Sequence, residues 1–143
     1  AIDGELDSED RNAFDLSAAP DLIAPLAVLC LFAERPSLIA GVAHARVKES
    51  DRIAVLARGF RALGGAVTEH PDGLAIAPLG STTVPPTILD PDGDHRMAMA
   101  FGLVSLRLPT VEVADRGCVS KSFPSFWATL EEVRGAGTLA TPA

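Results

Sequence analysis

Seven consecutive residues, Arg46-Val47-Lys48-Glu49-Ser50-Asp51-Arg52, hold three cations and two carboxylates. Cations at that density can grip phosphate or carboxylate groups, and carboxylates among them can move protons. Apolar residues follow at helical intervals, Ile53, Leu56, Ala57, Phe60 and Leu63, closed by Gly64-Gly65. The stretch is therefore expected to open an amphipathic helix, with Lys48 one turn from Arg52 on the same face. Like charges so stacked cost about 0.2 to 0.5 kcal/mol, and a cation at a helix N-terminus about 0.3 to 1 kcal/mol more. A bound anion would offset both. The competing reading is a solvated helix start in which Glu49 and Asp51 neutralise the cations themselves.

Two more stretches have the same character. Asp94-His95-Arg96 places an N-cap residue ahead of an imidazole and a guanidinium, in a first turn where free N–H groups favour an anion. The alternative is that Arg96 pairs with Asp92 or Asp94 and His95 is an ordinary surface imidazole. In Cys118-Val119-Ser120-Lys121-Ser122-Phe123-Pro124, Ser122 is a candidate cap for the last helix, which puts Lys121 at its mouth. Cys118 reads as a plain loop thiol, or as a reactive one if the nearby cation lowers its pKa. Asp21 adds a carboxylate at a strand-to-helix turn, where its bland role is an N-cap. Gathered on one face, Lys48, Arg52, Arg96 and Lys121, with Asp21 and Glu49 among them, describe a site for small, highly anionic metabolites. There is no glycine-rich phosphate loop, metal-ligand spacing or nucleophile elbow, so neither a metal nor a cofactor is expected.

The elements that must position these residues alternate between strand and helix. We expect a strand at Phe14–Leu16, an almost wholly apolar helix over Leu22–Ala33 buried on most sides, a strand at Pro36–Ala40, and the charged helix to Leu63. Pro25 means that this first helix begins late or leaves the Asp21 carbonyl without its usual donor. A hairpin then follows over Ala66–Glu69 and Leu74–Ala77, turning at Pro71-Asp72-Gly73. Beyond it come an edge strand near Thr87–Leu89, a helix over His95–Leu106, a strand at Thr110–Ala114, a loop over Arg116–Ser122 and a last helix over Phe123–Arg134. Phe126, Trp127, Leu130 and Val133 share one side of that helix.

The series repeats. A shift of 73 residues lays Asp21 on Asp94, Pro36 on Pro109, Lys48 on Lys121 and Gly64 on Gly137. Lys48 and Lys121 are the chain's two lysines, so one repeat position holds both. The fold class is thus α/β, with one repeat unit over residues 1–80 and a second, truncated unit over 81–143.

With 143 residues, 48% of them hydrophobic, the chain is one domain or part of one. A net charge of -7 without a basic stripe excludes nucleic acid and anionic membrane as partners. No apolar run is long enough to span a bilayer, and no basic leader precedes one, so the cytoplasm is the expected location. The acidic stretch Ala1–Ala13, which lacks an initial methionine, reads as a truncated or processed end. Two cysteines make no disulfide framework.

At Pro20-Asp21, Arg46-Val47-Lys48-Glu49-Ser50-Asp51-Arg52, Asp94-His95-Arg96-Met97-Ala98-Met99 and Ser120-Lys121-Ser122-Phe123-Pro124 the sequence resembles the C-terminal part of the EPSP synthases. These are the 3-phosphoshikimate 1-carboxyvinyltransferases of the shikimate pathway, which serves aromatic amino acid and chorismate biosynthesis. The UDP-N-acetylglucosamine enolpyruvyl transferases share the fold but match these motifs poorly. The resemblance implies βαβαββ units arranged as an inside-out α/β barrel, incomplete here, in a two-domain enzyme that closes over its ligands. It also implies transfer of the enolpyruvyl group of phosphoenolpyruvate to the 5-hydroxyl of shikimate 3-phosphate, through a tetrahedral intermediate and without metal.

By the same resemblance, Asp21 holds the shikimate hydroxyls and acts as base, and Lys48 contacts the shikimate moiety. Arg52, Arg96 and Lys121 hold phosphoenolpyruvate, where glyphosate acts in this family, and His95 and Glu49 lie beside it, Glu49 as a proton-transfer group. His44 stands where the family often carries an asparagine near the shikimate ring. Everything resembling the N-terminal domain is absent. The chain is therefore expected to be inactive alone, to need that domain as its partner, and to be able to form a fragment dimer through open sheet edges. A non-catalytic anion-binding module with the same loops is the alternative. Replacing Arg52 or Lys121 is expected to weaken ligand binding with little effect on folding.

Overall fold

The computed structural model describes residues 10–140; positions 1–9, most of the acidic start, lie outside the described residues. Four strands form one mixed sheet in the order β1 (Asn12–Asp15), β2 (Ser37–Ala40), β4 (Gly73–Ile76), β3 (Val67–His70). The β1–β2 pair is parallel, joined by a helical crossover, and the other two pairs are antiparallel. A second sheet has two parallel strands, β5 (Thr87–Leu89) and β6 (Val111–Val113). Helices α1 (Ile23–Leu31), α2 (Arg52–Ala62), α3 (His95–Arg107) and α4 (Phe126–Ala140) complete the order β-α-β-α-β-β followed by β-α-β-α.

Pro25 decides where α1 starts. A 3-10 turn at Pro20–Leu22 precedes the α-helix, so Pro25 takes the third helical position, where the backbone N–H has no intrahelical acceptor to lose. The helix thus begins late. Ile23, Ala27 and Leu31 are buried, but Leu29 is 70% exposed, so the expected burial on most sides is incomplete. Leu29, Pro25, Phe32, Leu103 and Leu106 line an apolar groove of about 420 Å³.

The charged stretch does not belong to α2. Residues Ala43–Val47 form a separate 3-10 helix, Lys48 is extended, and Asp51 caps α2 by accepting the Ala54 N–H at 3.0 Å. Lys48 and Arg52 therefore do not stack on one helix face, because the cap excludes residues before Arg52 from the helical path. At the other end, Gly64 adopts φ +88, and the Gly64 and Gly65 N–H groups return to the carbonyls of Arg61 and Phe60. A left-handed C-terminal residue suits glycine, as the sequence led us to expect.

The hairpin turns on Pro71 and Asp72, with Gly73 already paired to His70 inside the ladder. A Cβ on Gly73 would collide with the Ile39 carbonyl oxygen of β2, so β4 can approach β2 only with glycine there. The expected loop over Arg116–Ser122 is a 3-10 helix through Lys121, and α4 starts at Phe126 rather than Phe123. Phe126 and Leu130 face the core, whereas Val133 is 52% exposed. One hydrophobic core runs through both sheets and all four helices, with Phe60, Phe101, Ile39 and Leu89 almost fully buried.

Candidate functional site

Arg52, the first residue of α2, is 2% exposed and lies among three carboxylates. Its Nε donates to Asp94 Oδ2 at 2.9 Å, its Nη2 to Glu49 Oε2 at 2.5 Å and its Nη1 to Asp21 Oδ1 at 3.4 Å. The fork geometry of a guanidinium suits this, because its donors reach partners on different elements without bending. Asp94 is fully buried and also accepts from Ser50 Oγ at 2.7 Å and from the Arg96 N–H at 3.0 Å, which caps α3. Burial alone would raise the Asp94 carboxyl. The bonds from Arg52 and Ser50, the Arg52 charge and the Arg96 N–H outweigh it and hold the pKa below the ordinary 3.8.

Asp21 is held on its other side by Arg96, whose Nη2 lies 3.7 Å from Oδ2. It makes no capping bond, so the N-cap role does not apply. The Arg96 guanidinium pairs with Asp21 rather than with the neighbouring Asp92 or Asp94, and Asp94 takes only the Arg96 backbone N–H. A groove of about 270 Å³ is lined by Asp21 and Arg96 together with Pro25, Met99, Leu103 and Phe123. Met97 is in the core.

His95 Nδ1 is hydrogen-bonded to Ser122 Oγ at 2.5 Å, which ties the loop after Lys121 to the start of α3. Ser122 is thus not the cap of the last helix. Glu49, Asp94 and His95 offer atoms within 4.8 Å of one another, a cluster that sequence spacing did not reveal. Two of these three groups, Asp94 and Glu49, are already bonded to the Arg52 guanidinium.

The structure thus brings together Asp21, Glu49, Arg52, His95 and Arg96. Lys48 and Lys121 occupy matching places, each at the C-terminal end of a 3-10 helix, and both are exposed without an ion pair to any described residue. His44 is exposed in the first of those turns. The neutralisation reading holds for part of the charged stretch, since Asp51 pairs with Arg46 at 3.0 Å and Glu49 with Arg52. The cation-activated reading of Cys118 does not hold: burial, then Asp115 and Asp94, pushes its thiol up. Sequence reasoning missed Asp94 as an anchor and Ser50 as its donor. Asp94 was legible as the repeat partner of Asp21, but its burial was not.

Residues 4–130 match the family model of EPSP synthase (3-phosphoshikimate 1-carboxyvinyltransferase). The chain belongs to the EPSP synthase family. The 3-phosphoshikimate 1-carboxyvinyltransferase of Syntrophobacter fumaroxidans is 45% identical over 131 residues, 92% of this chain and 30% of that protein. Its namesake in Methanosphaerula palustris is 42% identical over 118 residues, 82% of this chain and 27% of that protein. A solved EPSP synthase from Acinetobacter baumannii superposes with a TM-score of 0.67 at 30% identity, covering 78% of this chain and 26% of its own. The chain therefore spans about 30% of the length of the EPSP synthases it matches. Its mixed α/β fold is that of part of the enzyme. Among the described residues no helix is long and apolar enough to cross a membrane.

Proposed function

We propose that this chain forms one wall of an enolpyruvyl-transfer site and works as part of a 3-phosphoshikimate 1-carboxyvinyltransferase. The observation that carries the reading is the meeting of Asp21, Glu49, Arg52 and Arg96 beside a groove, with His95 bonded to the loop that presents Lys121. Residues 1–80 and 81–143 are its two repeat units, the second truncated. The remainder of the enzyme, including an N-terminal domain, closes the opposite wall, and the pathway is cytoplasmic.

In this reading Asp21 takes the proton of the shikimate 3-phosphate 5-hydroxyl as that oxygen adds to C2 of phosphoenolpyruvate. Lys48 and His44 contact the shikimate moiety. Lys121 and Arg96 hold the phosphoenolpyruvate anion, with the spare Nη1 hydrogen of Arg52 completing the clamp. Glu49 and His95 exchange the proton that C3 gains and then loses as phosphate leaves. Exposed lysines suit ligand capture, whereas the enclosed Arg52 suits fixed geometry.

The test grafts this chain in place of its matched third of the Syntrophobacter enzyme and measures phosphate release from phosphoenolpyruvate and shikimate 3-phosphate. Turnover is expected from the graft and not from the chain alone. A folded graft that binds both ligands without turnover returns the anion-binding module instead.

A further inference from the structure

Arg46 has no place in the ligand contacts above, yet it is the most heavily bonded side chain of its stretch. Its Nη1 reaches both oxygens of Asp51, at 3.2 and 3.0 Å, and Glu69 Oε1 at 3.2 Å. Its Nη2 donates to the His70 carbonyl at 2.7 Å and its Nε to the Pro71 carbonyl at 3.2 Å. One half-buried guanidinium therefore joins the 3-10 helix of residues 43–47, the cap of α2 and the β3–β4 turn.

The bond from Arg46 to Asp51 closes a small loop of chain around Val47, Lys48, Glu49 and Ser50. Lys48 and Val47 are exposed there, and Val47, at 81%, has no packing to hold it. The same Asp51 carboxylate caps α2 through Ala54. Further along the segment, Glu49 and Ser50 reach Arg52 and Asp94. The segment thus owes its path to polar anchors, and Arg46 supplies the one at its base.

We infer that Arg46 is a positioning residue, a clamp that uses the β3–β4 turn as a fixed post to hold Lys48 and Glu49 toward the site. It touches no ligand. The inference deepens the reading above and assigns Arg46 to the Lys48 side, because none of its bonds reaches α3 or the loop around Lys121. A lysine cannot replace it, since one ammonium cannot span two carboxylates and two carbonyls facing a planar fork.

The experiment compares the 143-residue chain with Arg46→Ala and Arg46→Lys by amide ¹⁵N relaxation, followed by titration with shikimate 3-phosphate and, separately, phosphoenolpyruvate. Order parameters of Lys48 and Glu49 are expected to fall from about 0.85 to below about 0.6 in both variants, while His95 and Arg96 stay near about 0.85. Affinity for shikimate 3-phosphate is expected to drop about tenfold, with phosphoenolpyruvate within about twofold, corresponding to about 1.4 kcal/mol on one ligand alone. Unchanged Lys48 and Glu49, equal loosening of His95 and Arg96, or an equal loss of both ligands overturns the inference. Where the 143-residue chain responds to neither ligand, the titrations are run on the graft described above, whose turnover reads the proposed function separately, and the relaxation arm decides the role of Arg46. If Arg46→Ala does not fold, Arg46→Lys carries the comparison.

Discussion

Asp94 Oδ2 stands 2.9 Å from Arg52 Nε, with the carboxylate fully buried and the guanidinium side chain 3% exposed. A dry ion pair of this kind is sustained only by further bonds, and here Ser50, Glu49, Asp21 and the Arg96 N–H supply them.

Asp94→Asn is expected to destabilise the chain by about 3 kcal/mol, because it leaves Arg52 short of a buried counter-charge. Urea unfolding at neutral pH measures it. The folded pKa of Asp94 lies below its unfolded value, so its stabilisation is complete above the unfolded pKa and drains as pH falls toward the folded one. The wild-type acid limb should therefore lose stability below about pH 4, and the variant should show a shallower slope there.

Arg52→Ala and Lys121→Ala should part company, contrary to the expectation from sequence that both leave folding intact. Removing Arg52 strands the buried Asp94 and is expected to cost about 3 to 5 kcal/mol. Lys121 is exposed and should cost less than about 0.5 kcal/mol. Thermal melts of the two variants settle it; equal losses would contradict the enclosure of Arg52.

Gly73→Ala should be among the most damaging small substitutions outside the site. The added methyl meets the Ile39 carbonyl oxygen across the β2–β4 ladder, and separating the strands breaks a central pairing. A loss of at least about 1 to 3 kcal/mol is expected in denaturant titration. Ala75→Gly, in the same strand but without a clash, serves as the comparison.

Ser122→Ala removes the partner of His95 Nδ1. The imidazole tautomer ratio, read from ring ¹⁵N shifts, is expected to change, with a stability loss of about 0.5 to 1.5 kcal/mol. An unchanged ratio would mean that the hydroxyl does not orient the ring.

Cys118 should react slowly with thiol reagents at neutral pH, its rate still climbing above pH 9, since burial and nearby aspartates raise its pKa above the ordinary 9.0. Cys30, buried in α1, should stay inert until unfolding.

Much of this was legible along the chain, and the parts that were not have identifiable causes. Periodicity placed α2 and α3 because their apolar spacing is regular, and Gly64 marked the end of the first. Charge density does not say which acidic residue caps α2; Asp51 does so, and that puts Lys48 outside the helix. Ser122 looks like a cap in sequence but is taken by His95 from 27 residues away, so the last helix starts three residues later than the sequence suggests. Arg52 read as a ligand cation because burial is a property of the assembled core and not of its neighbours in sequence. The gathering of Asp21, Arg52 and Arg96 needed only the matching of their turns; the fully buried Asp94 beneath them needed coordinates.

The carboxylate collar around Arg52 also bears on how fast a visitor arrives. Asp21, Glu49 and Asp94 cancel the nearby guanidinium charge at a distance, and the molecule as a whole carries -7, so a multiply charged anion of the kind proposed above would approach against a repulsive field. In the proposed reading, capture then depends on the last few ångströms, where single N–H groups and the two lysines would act. Added salt shortens the reach of the repulsion, so moderate ionic strength should quicken entry rather than slow it.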